Sequence, residues 1–421
     1  MFVSLITLMV LGIPIAWALC ASSVMTLTFF TNLPAAVIAQ RLFTGVNSFT
    51  LLAVPAFMVA GEIMSKGGIA HRLIDMADAI VGRTRGGLAM VSIVACTFFA
   101  ALTGSSIATT AAIGGIMYPE MVRRKYPEDF SAAVQSIGGT LGPVIPPSVL
   151  FILYGNSVNV SIPDLLMSGV LPGVVSCVGL CIVCYLLAIK LGIGKSSEGQ
   201  FDVGKLIKSI RKALLALFMP LIILGGIYCG VFTPTESAGV AVAYGLLISV
   251  CIYKEMNLKE LLEVFKTTAV STANMTILIM GAQLFGWIVA YANVPTIVGS
   301  AIQAVANSQT QFLILVIFIL LVFGMFMDGG AIILIIAPII HPIAMQYGLD
   351  PIHFGLVAVF TIALGNATPP FGNTLYVATA ITKRPFANIA RNVLPFVFEQ
   401  VALCFVFAFV PFFATWLPGL M

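Results

Sequence analysis

The chain has 421 residues, of which 60% are hydrophobic and only 9% charged, with a formal net charge of +4. Soluble domains carry about 25% charged residues, so a soluble globular fold is excluded. The histidines are limited to His71, His341 and His353, and H-E-x-x-H, G-x-x-x-x-G-K-[ST] and G-x-S-x-G are all missing, which gives no basis for an enzyme, for nucleotide hydrolysis or for a nucleic-acid partner.

The N-terminus opens directly into apolar sequence without a basic n-region or A-x-A site, so it reads as a retained helix and not a signal peptide. Residues 1–30 form either one span or two pieces broken at Gly12-Ile13-Pro14. Residues 87–102 are apolar and end in a polar tip, Thr103-Gly104-Ser105-Ser106, that continues to Thr109-Thr110. A second break, 138–148, contains Gly142, Pro143, Ile145, Pro146, Pro147 and Ser148 inside what is otherwise one helix. An apolar stretch at 165–189 is long enough to cross hydrocarbon. The polar stretch 190–212 follows, and its spacing of Phe201, Lys205 and Lys208 predicts a helix lying on the cytoplasmic surface. After a span at 213–231, residues 256–265 read the same way, with Leu258, Leu261, Leu262 and Phe265 on one face. The apolar arm 312–327 meets a third polar tip, Asp328-Gly329-Gly330, and the fourth break runs from Gly365 and Asn366 through Thr368, Pro369, Pro370 and Phe371 to Asn373 and Thr374. The chain closes on an apolar run, 393–413. All eight cysteines lie in apolar runs and read as small hydrophobes, including Cys177, Cys181 and Cys184, which share a helix face.

The basic residues cluster at 66–72, 83–85, 123–125, 190–212, 254–266 and 383–391. Loops at 155–163, 233–237, 293–310 and 346–353 carry none. Basic loops stay cytoplasmic, which places 19 of the 20 Lys/Arg inside and leaves Arg41 as the exception. The two halves repeat: Pro119 precedes Pro146-Pro147 by 27 residues, Pro342 precedes Pro369-Pro370 by 27, and the halves are offset by 223. Equivalent loops take opposite sides at three places: 83–85 against 306–309, 123–125 against 346–348, and 155–163 against 378–385. This is the pattern of inverted-topology repeats in secondary transporters.

Both flanks of the first tip are cytoplasmic and both flanks of the third face out, so each tip ends a hairpin. The small polar tips, free of Lys/Arg, favour re-entrant hairpins. At the second and fourth breaks paired prolines remove amide donors, and carbonyls freed in hydrocarbon need a partner. A hard cation such as sodium suits these oxygens, while helix N-termini at the breaks attract an anion. Asp328 and Glu62 are intramembrane acids and so functional candidates, although Glu62 lies one turn from Lys66 and suits a local pair equally. Glu399 reads as structural, and Trp287 and Trp416 as interface anchors.

Three segments of the first half, Thr103-Gly-Ser-Ser-Ile-Ala-Thr, Tyr118-Pro-Glu-Met and Gly139-Thr-Leu-Gly-Pro-Val-Ile-Pro-Pro-Ser, resemble the large membrane (M) subunit of the tripartite ATP-independent periplasmic (TRAP) transporters. So do Gly348-Leu-Asp-Pro-Ile-His-Phe-Gly and Gly365-Asn-Ala-Thr-Pro-Pro-Phe-Gly in the second half, and the resemblance covers essentially the whole chain. Pro143 departs from the small hydrophobic residue expected there. The resemblance implies an all-α polytopic protein of the bacterial inner membrane, with about nine spanning helices, two re-entrant hairpins and an elevator mechanism. It implies one membrane unit over 1–421: repeat one about 1–190, a cytoplasmic surface arm about 190–212, and repeat two about 213–421. Transport-domain parts are expected at about 87–160 and 311–382, with the rest mainly scaffold. It further implies sodium-coupled import of a carboxylate, with sialic acid favoured over a C4-dicarboxylate or another sugar acid. Expected partners are a periplasmic (P-type) binding protein and a separate small four-helix (Q-type) subunit, with sodium the coupling ion and no other cofactor. One sodium site is expected at Gly104, Ser105, Ser106, Gly142, Ile145 and Pro146, and the other at Asp328, Gly329, Gly365, Thr368 and Phe371. The solute is expected beside Ser105, Ser148, Asn366 and Asn373. A channel or a non-transporting assembly subunit is the alternative, and fits the paired polar breaks less well.

Overall fold

In the computed structural model, residues 1–31, 34–193 and 203–420 are described, and no strand occurs among them. The N-terminal apolar run breaks at the glycine-proline step into α1 (Phe2–Val10) and α2 (Ile15–Phe30). Helix α3 (Ala36–Val46) and a 3-10 turn (Phe49–Leu52) lead into α4 (Ala53–Lys66), then α5 (Ile69–Val81). The first hairpin is α6 (Gly87–Thr103) and α7 (Ser106–Arg123). The first interrupted helix is α8 (Glu128–Gly139) and α9 (Val149–Val158), followed by α10 (Ile162–Ser168) and α11 (Val170–Lys190).

Helix α12 (Val203–Tyr228) opens the second half, then α13 (Pro234–Leu246), α14 (Leu258–Tyr291) and α15 (Val294–Gln303). The second hairpin is α16 (Gln309–Phe326) and α17 (Gly329–Gln346), and the second interrupted helix is α18 (Pro351–Gly365) and α19 (Asn373–Thr382). Helices α20 (Phe386–Phe409) and α21 (Phe412–Thr415) end the chain. The repeat is visible element by element: α7 and α17 are both 18 residues long and begin 223 positions apart, at 106 and 329.

Eight helices among the described residues are long and apolar enough to cross a membrane, the two arms of the second hairpin being two of them. Setting those arms aside leaves six, and α2 and each interrupted helix taken as one crossing bring the spans to nine. This is a multi-pass membrane protein.

Two expected surface helices take another form. Residues 203–212 run unbroken into the span as the start of α12, and 194–202 of the expected arm lie outside the described residues. Residues 258–265 are the first turns of α14, whose 34 residues extend about 50 Å against a hydrocarbon core of about 30 Å.

Polar contacts group the segments independently of charge counting. Arg72 binds Glu255 at 2.6 Å, which joins the 66–72 and 254–266 clusters, and Arg384 binds Asp129 at 2.7 Å and Glu128 at 2.8 Å, which joins the 383–391 cluster to the start of α8 just past the 123–125 cluster. The Lys/Arg-free segments also join one another: Ser48 Oγ donates to Asn156 Oδ1 at 3.2 Å, Thr235 Oγ1 to Phe49 O at 3.0 Å, and Tyr347 Oη to Ala306 O at 2.6 Å. Arg41, the exception to the basic clusters, lies over the Trp287 ring at 4.9 Å, which stabilises it through a cation–π contact.

The helices pack as two groups. Helices α2, α3 and α4 pack on α14, and α13 joins them through α4 and α12 through α13. The hairpins and interrupted helices form the other group, and α11 and α20, expected with the remainder of the chain, pack on them through α6, α8 and α18. Every residue of α18 from His353 to Gly365 is buried. A helix buried on all sides sits at the centre of its group, so the interrupted helices form the core that positions the breaks.

Candidate functional site

Each hairpin turns on a short capped step. In the first, Gly104 takes a left-handed conformation (φ +61°), the usual way to end a helix. Ser105 then goes extended and its Oγ accepts from the Ala108 amide at 3.4 Å. In the second, Asp328 caps α17, its Oδ2 accepting from the Gly330 amide at 2.9 Å.

Each tip is clasped by the break of its own repeat. A Cβ on Gly104 would run into the Pro147 carbonyl oxygen, and one on Gly142 would lie 2.5 Å from the Ser105 carbonyl oxygen. In the second repeat a Cβ on Gly365 would lie 2.5 Å from Gly324 Cα, and the Gly372 amide donates to Met325 O at 3.0 Å. The fourth break is bridged internally, Asn366 O accepting from the Thr374 amide at 2.9 Å and from Thr374 Oγ1 at 2.8 Å.

The four breaks meet around one cavity of about 440 Å³. One wall holds the first tip (Thr103 to Ser106), the second tip (Asp328, Gly329), Pro143 and Asn366 from the breaks, and the first turn of α9. The opposite wall is Glu62 of α4 with Thr267, Thr268 and Ser271 of α14. The tips enter from opposite faces by their flanking charges and line the same cavity, so both hairpins end inside the membrane. The repeats touch here directly, Asn366 Nδ2 donating to Ser106 Oγ at 3.3 Å. Asn366 Oδ1 is buried with no hydrogen-bond partner, an acceptor that needs a ligand. Three helices, α7, α9 and α17, start at the wall and aim their positive dipole ends at it. Among the described residues, Glu62 and Asp328 are the only charged side chains in the lining.

Of the residues expected at the site, Gly104, Ser105, Ser106, Asp328, Gly329 and Asn366 line the cavity together. Gly142 and Gly365 lie behind the tips as the close-approach points. Thr368 is buried, its hydroxyl donating to Leu364 O at 2.9 Å. Pro146 is buried, Ile145 fills the space beside Gly173, and Phe371 is exposed with its ring 5.2 Å from that of Phe326. Ser148 and Asn373 do not reach the cavity. The Ser148 hydroxyl is fully buried, donating to Pro143 O at 2.5 Å and capping α9 at the Phe151 amide, so its donor and one of its lone pairs go to the backbone. Asn373 sits half-buried in the first turn of α19. Glu62 pairs with Lys66 at 3.5 Å and also lines the cavity. Thr267, Thr268 and Ser271 were not anticipated; their signal is hydroxyls at i, i+1 and i+4 on one face of a long apolar helix.

Residues 2–413 match the family described as tripartite ATP-independent periplasmic transporter, DctM component. The chain belongs to this family. It is 38% identical over 398 residues to the C4-dicarboxylate TRAP transporter large permease protein DctM of Pseudomonas aeruginosa, covering 94% of this chain and 93% of that one. It is 34% identical over 415 residues to the sialic acid TRAP transporter large permease protein SiaM of Vibrio cholerae, covering 97% and 95%. Against the isethionate TRAP transporter permease protein DctMQ of Oleidesulfovibrio alaskensis it is 36% identical, covering 96% of this chain and 63% of that longer protein. Among solved structures the fold resembles the Alcanivorax borkumensis YdaH transporter at TM-score 0.65 and 14% identity, over 91% of each chain. It also resembles Neisseria gonorrhoeae MtrF at TM-score 0.62 and 13% identity, over 89% of this chain and 83% of that one. The permease is thus a large TRAP membrane subunit and not an enzyme.

Proposed function

We propose that this permease imports a small organic anion across the bacterial inner membrane by sodium symport. The observation that carries this reading is the charge of the cavity: two carboxylates, a rim of hydroxyls and no basic residue. Such a wall repels an anionic solute until cations occupy it. Lys66 already pairs with Glu62, sodium bound at the tips and breaks neutralises Asp328, and the dipole ends of α7, α9 and α17 then favour the solute's carboxylate. The expected sodium sites remain Gly104, Ser105, Ser106, Gly142, Ile145 and Pro146 in the first repeat, and Asp328, Gly329, Gly365, Thr368 and Phe371 in the second. Asn366, with its unpaired Oδ1, is the favoured solute or ion contact at their junction.

The relatives are named for a C4-dicarboxylate, sialic acid and isethionate at 38, 34 and 36% identity, and what these solutes share is a compact acid group. We retain sialic acid as the first solute to test. A periplasmic binding protein delivers it, and a separate small membrane subunit completes the assembly. The hairpin body, with α11 and α20, moves as an elevator against the frame around α14, driven by the sodium gradient and by about 2.3 kcal/mol per charge per 100 mV.

The deciding experiment is uptake into proteoliposomes holding the permease and its small partner, with labelled sialic acid and a sialic-acid binding protein, with and without an inward sodium gradient. Uptake that needs sodium and the binding protein is the expected result. Uptake of a C4-dicarboxylate in place of sialic acid corrects the solute alone, and uptake indifferent to sodium overturns the coupling.

A further inference from the structure

A second concavity lies outside the transport pathway, at the cytoplasmic start of α12, and is lined by Gly204, Ile207, Lys208, Arg211 and Lys212. Lys208, Arg211 and Lys212 sit at i, i+3 and i+4, so their side chains share one side of the helix. All three are exposed, and no ion pair involves them among the described residues. Elsewhere on this face of the protein several cations are neutralised in place: Lys66 by Glu62, Arg72 by Glu255, Arg123 and Arg124 by Glu120, Arg384 by Glu128 and Asp129.

The position of the cluster along the helix identifies what it faces. Ile207, Arg211, Leu214, Phe218 and Leu221 follow at alternating steps of four and three and form one stripe. Apart from Arg211 the stripe is apolar and all of it is exposed, Leu221 to 65%, which on a spanning helix marks the side that meets acyl chains. Arg211 therefore stands where the acyl chains end and their phosphates begin, about 5 Å along the axis from Leu214, with Lys208 and Lys212 beside it. Lys205 precedes them in the sequence at the same spacing.

We propose that this basin binds the headgroup of an anionic phospholipid of the cytoplasmic leaflet, its acyl chains lying along Leu214, Phe218 and Leu221. A guanidinium and two ammonium groups around one concavity supply the fork and point charges that a phosphodiester accepts. Basic clusters directly cytoplasmic of a span attract anionic lipid in proportion to their charge. The site lies apart from the transport cavity, and its test does not depend on which solute is carried.

The experiment is native mass spectrometry of the purified full-length permease with equal amounts of phosphatidylglycerol and phosphatidylcholine. The expected result is preferential retention of phosphatidylglycerol. That preference should fall about fivefold in Arg211→Gln and by about a hundredfold in the triple variant Lys208→Gln/Arg211→Gln/Lys212→Gln. Lys259→Gln/Lys266→Gln, on the neighbouring cytoplasmic end of α14, should leave it unchanged. If the triple variant elutes as aggregate, the single variant decides. Equal retention of both lipids in the wild type overturns the proposal. So does complete displacement of the lipid by millimolar inorganic phosphate, which marks a free-anion site. So does a preference that emerges only once Glu198 and Asp202 are neutralised, which marks a basin filled by the chain's own acidic residues.

Discussion

Asn366 concentrates the chemistry of the permease in one side chain. Its amide nitrogen reaches Ser106 in the other repeat, its backbone carbonyl is held by Thr374, and its Oδ1 is buried without a partner. The hydroxyls around it divide by what they have left to offer. Thr368 donates to Leu364 O and keeps its lone pairs. Replacing Thr368 or Ser106 with alanine should raise the sodium concentration for half-maximal uptake by about fivefold, the weight of one hydrogen-bond-sized contact. Sodium dependence unchanged in both variants removes them from the ion sites. Ser148 makes the opposite prediction: its oxygen is committed to the Pro143 carbonyl and to capping α9. Ser148→Ala should therefore lower thermal stability by about 1 kcal/mol, the cost of a lost cap, while the half-saturating concentrations of sodium and solute stay as in the wild type. A shift in either concentration would restore Ser148 to the solute site.

At the scale of elements, the site depends on how closely backbone can approach backbone. Lipid offers no hydrophobic drive between helices, so small residues at the contact carry the association. Gly365 against Gly324 and Gly142 against Ser105 are two of the places where an added methyl group meets main chain. Gly365→Ala and Gly142→Ala should each cost about 1–3 kcal/mol, read as a lower melting temperature of the detergent-solubilised permease. Gly115→Ala, on α7 with nothing within 4 Å of the added carbon, is the control and should not lower it. Melting temperatures unchanged in all three would mean the tips and breaks are looser than the structure has them. Much of this architecture is legible in the sequence because proline and glycine leave marks that averaging cannot hide: the 27-residue proline spacing in each half located both interrupted helices, and the Lys/Arg-free tips located both hairpins. The hydroxyls of α14 escaped because Thr267, Thr268 and Ser271 are small and barely interrupt a long apolar run. The surface helices at 203–212 and 258–265 were misjudged for a related reason. An amphipathic turn looks the same whether it lies on the membrane or extends a span beyond it, and only the continuity of α12 and α14 distinguishes the two.

At the scale of the whole molecule, the elevator reading requires the hairpin body to slide past the frame, and the structure offers a place to stop it. Ser48, between α3 and the 3-10 turn of the frame, donates to Asn156 of α9 in the hairpin body at 3.2 Å. That hydrogen bond joins the two groups on the outer face, so a body that moves must break it in every cycle. A Ser48→Cys/Asn156→Cys pair, in a background where the exposed cysteines Cys229 and Cys251 are serine, tests this with one covalent link. Oxidation should abolish sodium-driven uptake while leaving the protein folded, and a reductant should restore it. The two single-cysteine variants should transport whether oxidised or reduced, which separates the cross-link from the substitutions. Uptake that persists with the cross-link formed would mean that α9 stays fixed to the frame while the solute crosses, and the moving part would then have to be the hairpin tips alone.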